Sequence, residues 1–138
     1  MRTFIFFLGI LVPAAHAQDM VIRGYDPVSY FSQNKAVKGA DSISSIYSGV
    51  KWLFSSSENR KAFIDSPEKY IPQFNGHCAY AAANNYIYDA DPEVWTIVEG
   101  KLYLNYSVEV RMMWAAQRDS MIAAARKNWP ALIHQKKH

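Results

Sequence analysis

The sequence predicts an α+β domain, with short antiparallel β-hairpins packed against several helices and a long helix near the C-terminus. Two observations carry this expectation. The stretches "ISSIYSGVKWLF" and "VWTIVEGKLYLNY" are rich in β-branched and aromatic residues and break at Ser48-Gly49 and Glu99-Gly100, the pattern of tight hairpins. From Ser107 onward, Val110, Met113, Trp114, Met121, Ala124 and Ala125 recur at helical spacing and mark one apolar face.

Taken in order, "MRTFIFFLGILVPAAHA" combines an early positive charge at Arg2, a short apolar run and the small-x-small ending Ala15-His16-Ala17. That is the pattern of a cleavable export signal over residues 1–17, too short to span a membrane. It predicts a periplasmic or secreted protein with no membrane span after cleavage. Residues 18–23 read as a polar lead-in, 24–133 as one domain, and 134–138 as a disordered tail. In "GYDPVSYF", Asp26-Pro27 favours a turn, and Val28, Tyr30 and Phe31 supply an apolar cluster. After the first hairpin, with Trp52 and Phe54 directed inward, Ser55 and Glu58 have capping-box spacing and predict a helix through "ENRKAFI". Ser66-Pro67-Glu68 predicts a second helix start, limited to about one turn by Pro72. Asn75-Gly76 turns the chain into "HCAYAAANN", whose alanines favour helix until Asn84-Asn85. In the second hairpin Trp95, Ile97, Leu102 and Leu104 are the expected inward positions. Ser107 is the expected cap of the final helix and Pro130 its stop. No internal repeat is legible.

Composition narrows the function classes. The net charge of +3 falls to +2 once Arg2 leaves with the signal, and the basic residues are scattered. No basic stripe exists for a nucleic-acid partner. One cysteine, Cys78, cannot make an internal disulfide, so stability must come from a core for which nine Tyr, seven Phe and four Trp are available.

The segments "GYDPVSYF", "YSGVKWLFSSSENRKAFIDSPEKYIPQFNGHCAYA" and "DPEVWTIVEGKLYLNYS" resemble the YHS-domain family in its small exported bacterial form, over residues 24 to 130. Related YHS and TRASH-type domains accompany metal-handling proteins. Their metal-binding members carry cysteines where this chain has Ser29, Ser55 and Asn59. Hydroxyls and an amide are poor substitutes for thiolates, so a structural zinc or copper centre of that type is not expected. The resemblance implies a non-enzymatic binding module whose partner is a protein or a metal ion.

Cys78 is the main candidate ligand for copper, with His77, Met112 and Met113 as further soft donors. Adjacent helical residues point about 100° apart, which weighs against His77 and Cys78 sharing one ion. The alternative places Cys78 in the core of a structural or protein-interaction domain, as free cysteines commonly are. A third gives its thiol a redox role, though the chain has no C-x-x-C partner. Tyr25, Asp26, Tyr80 and Tyr103 are candidate pocket residues, against the alternative of turn capping by Asp26 and ring packing by the tyrosines.

Overall fold

A computed structural model describes residues 20–135, and the expected export signal lies outside them. The elements are α1 (Ser29–Ser32), β1 (Ala40–Tyr47), β2 (Val50–Phe54), α2 (Ser57–Asp65), α3 (Pro67–Tyr70), α4 (Ala79–Ala83), β3 (Asp91–Val98), β4 (Lys101–Asn105), α5 (Val108–Ala116) and α6 (Arg118–Leu132). This is the expected α+β architecture. β1–β2 and β3–β4 form two separate antiparallel hairpins. Each turns through two residues of positive φ, Ser48 and Gly49 in one, Glu99 and Gly100 in the other, the twist that suits a two-residue hairpin.

The two hairpins belong to a structural repeat. Both have the same register and the same irregularity: Tyr47 faces Val50 and Ser44 faces Leu53, while 51 positions later Val98 faces Lys101 and Trp95 faces Leu104. Each hairpin leads to a nine-residue helix capped by a serine, Ser56 for α2 and Ser107 for α5. Arg60 on α2 donates to the carbonyl of Ser44, and Arg111 on α5 donates to the carbonyl of the equivalent Trp95. Phe63 and Trp114 are buried at matching positions of those helices. Upstream, the short turns Val21–Gly24 and Gln73–Gly76 share an unusual backbone. Ile22 and Arg23 in one, and Phe74 and Asn75 in the other, have φ between 51° and 56°. Tyr25 and His77 then close equivalent turns on the carbonyls of Ile22 and Phe74. At the same offset the single turn of α3 matches the start of α6, with the break at Ser66 matching that at Gln117, and α6 then continues well beyond it.

The halves share one interior. Tyr30 donates to the carbonyl of Pro92 at 2.8 Å and packs edge-on against Trp95 at 5.5 Å between ring centroids. One apolar cluster joins Phe54 and Phe63 of the first half with Cys78, Leu102 and Leu104 of the second. A second cluster gathers Phe74, Tyr103, Trp114 and the inner face of α6. β4 runs between them, so Leu102, Tyr103 and Leu104 are all buried and strand alternation is lost.

Several expectations are corrected. Ile22 is buried in the first cluster, so the segment read as a polar lead-in contributes to the core. The cap of α2 is Ser56, whose Oγ accepts from the Asn59 N–H, because Ser55 is engaged elsewhere. α3 does start at Pro67 after Ser66 and runs for one turn as expected, but the Ser66 side chain makes no cap bond. Leu53 is buried like Trp52 and Phe54, whereas Trp95 and Ile97 are only half-buried. The final helix breaks at Gln117, and only beyond that break does α6 cross the second cluster. Met113, expected on the apolar face, is therefore 50% exposed, and Trp114 alone of α5 is fully buried. Pro130 lies inside the last turns of α6 and does not stop it.

Candidate functional site

The first half encloses a polar knot. Asp26 is completely buried, and five donors meet its carboxylate. Oδ1 accepts from the backbone N–H groups of Val28 at 2.8 Å and Ser29 at 3.3 Å. Oδ2 accepts from the Ser55 N–H at 2.8 Å, Ser55 Oγ at 2.7 Å and Asn59 Nδ2 at 2.8 Å. The Asp-Pro turn before α1, the end of β2 and the first turn of α2 thus meet on one carboxylate. Ser29, Ser55 and Asn59, three positions distant in sequence, surround it. Their donors satisfy the charge that burial would otherwise penalise heavily. No face of this carboxylate is left for a ligand.

The second half is built differently at the equivalent place. Allowing one residue for the shorter loop of the second half, Cys78, Ala81, Tyr106 and Val110 stand where Asp26, Ser29, Ser55 and Asn59 stand. The backbone agrees: the Asp26 N–H donates to the Val37 carbonyl, and the Cys78 N–H donates to that of Tyr88. The four side chains lack the polar demand of the first set. An open pocket of about 450 Å³ lies there instead, with Cys78 and Val110 at one side and Tyr80, Tyr86, Tyr88 and Tyr106 around it. Tyr86, Tyr88 and Tyr106 are 68%, 53% and 51% exposed, a large apolar surface to leave in water. Tyr88 and Tyr106 meet edge to face at 4.9 Å with 74° between their planes.

Below the pocket, Asn105 is fully buried where the first half has Phe54. Its Oδ1 accepts from the Tyr80 N–H at 3.0 Å and from Cys78 Sγ at 3.6 Å. The Tyr80 bond fixes which end of the amide is the oxygen, and it leaves Nδ2 buried without a hydrogen-bond partner. Asn105 thereby anchors both Cys78 and the start of α4.

The residues singled out from the sequence do not form one site. Cys78 is 1% exposed, set between α4 and β4. The His77 imidazole turns to the other side of the chain, with Nδ1 3.0 Å from the Phe74 carbonyl and its ring 5.7 Å from that of Trp129. Met112 is 66% exposed, and Met113 shares that outer face of α5. Among the described residues no three His, Cys, Asp or Glu side chains are grouped to hold an ion. The four candidate pocket residues also separate. Asp26 is sealed in its knot, and Tyr25 donates to Glu93 at 3.0 Å. Tyr103 is buried against Trp114 and takes a hydrogen bond from Arg126, leaving only Tyr80 at the open pocket. Tyr86, Tyr88 and Tyr106 escaped the sequence reading. For Tyr86 and Tyr88 the signal is the run "YIYD" following Asn84-Asn85, too short to mark an element, and Tyr106 stands alone after the second hairpin.

No family model, curated protein or solved structure matches this chain.

Proposed function

We propose that the chain is a non-enzymatic binding module whose ligand enters the tyrosine-lined pocket beside Cys78. The observation that carries this is the difference between the two halves. One place in the repeat is closed by a saturated carboxylate, and its equivalent is open, uncharged and walled by aromatic rings. A pocket of this size and lining suits a small organic molecule or side chain. The resemblance to small exported YHS-domain proteins supports a binding module, and the leader pattern at residues 1–17 supports an exported setting.

Copper does not fit the donors present. Cu(I) takes two or three soft ligands, whereas Cys78 supplies one thiol, His77 turns toward Trp129, and Met112 is largely exposed on α5.

The test uses a neutral solvatochromic dye, Nile red, on the protein from residue 18 onward. Wild type should shift the dye emission to the blue through one saturable site. Ala81→Phe, which fills the pocket from α4, should abolish that shift with an unchanged circular dichroism spectrum. Equal dye binding by both proteins would end the reading. So would capture of Cu(I) from a strong chelator by wild type and not by Cys78→Ala, since that result restores the metal site.

A further inference from the structure

Four tyrosines, the apolar side chains of Ala81, Ile87 and Val110, Cys78 and one amide, Asn84, line the pocket. Among the described residues no Lys, Arg, Asp or Glu lines it, so an anionic ligand would find no counter-charge from them. An ordinary ammonium group needs several acceptors when desolvated, and besides the tyrosine hydroxyls the lining supplies one side-chain amide, Asn84. Four tyrosines offer something else. The faces of their rings carry negative quadrupole charge and attract a cation without any carboxylate. Tyr88 and Tyr106 meet edge to face at 4.9 Å, so two ring planes stand nearly at right angles on the same pocket as Tyr86 and Tyr80. A cation that loses little by leaving water, and donates no hydrogen bonds, is the one such a pocket selects.

The repeat shows that these rings are not required by the fold. At the position of Tyr106 the first half has Ser55, and at that of Tyr80 it has Val28, with the hairpin and helix geometry unchanged. The second half therefore carries aromatic surface beyond what the architecture uses, and it carries it around an opening.

We infer that the pocket beside Cys78 is an aromatic cage for a quaternary ammonium group, a trimethylammonium head on a small molecule or side chain. The inference rests on the reading of this pocket as the ligand site and names the class of ligand it takes.

Choline and its neutral isostere 3,3-dimethylbutan-1-ol separate charge from shape. Titrated into the protein from residue 18 onward and followed by calorimetry, choline should bind about tenfold or more tightly than the isostere, the contrast expected of a desolvated cation on aromatic faces. Tyr106→Ser, which installs the first-half residue at a half-exposed position, should weaken choline at least about fivefold. Tyr86→Phe should retain binding, because the ring face survives, and Tyr86→Leu should weaken it. Equal affinity for choline and the isostere would overturn the cage, as would Tyr106→Ser binding choline like wild type. If Nile red enters the pocket and choline does not compete for it, the pocket stands and the ligand class falls. If neither binds, both fail.

Discussion

At the scale of single residues, two equivalent positions place opposite demands on their surroundings. Asp26 brings a charge into the interior and must be saturated, so its neighbours are obliged to be donors. Cys78 brings no charge, and its neighbours are free to be apolar and to stand apart. The sequence allowed Asp26 to be read as a turn residue, and the Val28 N–H to Asp26 bond bears that out. Its bonds to Ser55 and Asn59 cross about thirty residues, beyond the reach of local patterning. Tyr30 illustrates a buried hydroxyl with a measurable signature. Burial, aided by Tyr25 and Glu93 nearby, holds its phenol well above the usual range. Unfolded tyrosine ionises near pH 10 while folded Tyr30 keeps its proton, so the unfolded state loses protons first. The contribution of Tyr30 is therefore fully present below about pH 10 and declines above it, by up to about 1.4 kcal/mol per pH unit. Urea midpoints measured from pH 9 to 11.5 should fall, and Tyr30→Phe should make that fall shallower. An unaltered slope in the variant would show that Tyr30 is not the group responsible.

At the scale of elements, hairpins and caps were legible because their signals are local. Ser48-Gly49 and Glu99-Gly100 sit where positive φ is needed, and Ser107 caps α5 as its position suggests. The break at Gln117 and the passage of Pro130 inside α6 were not legible, since tertiary packing decides both. Residues of α6 must reach Phe74 and Ala82 in the second cluster, and helix direction follows that burial. The double burial of β4 has the same origin, because nothing in "KLYLN" announces that α6 covers its second face. The glycines test the repeat at this scale. A Cβ on Gly49 or Gly100 would meet no atom within 4 Å, so only the left-handed backbone opposes it. Gly49→Ala and Gly100→Ala should each cost about 1 kcal/mol, and the two should agree. Gly39 differs, for a Cβ there would lie 2.4 Å from the backbone carbon of Leu53 and 2.6 Å from the Phe54 nitrogen. Gly39→Ala should cost about 3 kcal/mol, because neither contact can be relieved by turning a side chain. Denaturant unfolding of the three variants decides this, and a Gly39 cost no greater than the others would contradict the packing described.

At the scale of the whole molecule, the chain is a repeated hairpin–helix unit joined through a shared core and completed by α6. The repeat escaped the sequence because few identities survive, among them Gly49 with Gly100, Leu53 with Leu104, Ser56 with Ser107 and Arg60 with Arg111. These are turn, core, cap and carbonyl-binding positions, the ones geometry constrains most. Elsewhere the halves diverged, and the divergence concentrates where one encloses Asp26 and the other opens beside Cys78. The asymmetry is the basis of the functional reading, because a common fold has kept one version of the place shut and lined the other with tyrosine. The direct measurement is a titration with tetramethylammonium, followed through the aromatic-ring resonances of the tyrosine-labelled protein by NMR. The resonances of Tyr86, Tyr88 and Tyr106 should shift together along one saturable curve, while Tyr47, hydrogen-bonded to Glu68 on the first half, stays still. Tyrosine shifts that fail to saturate, or that are no larger at the pocket than at Tyr47, would contradict the account.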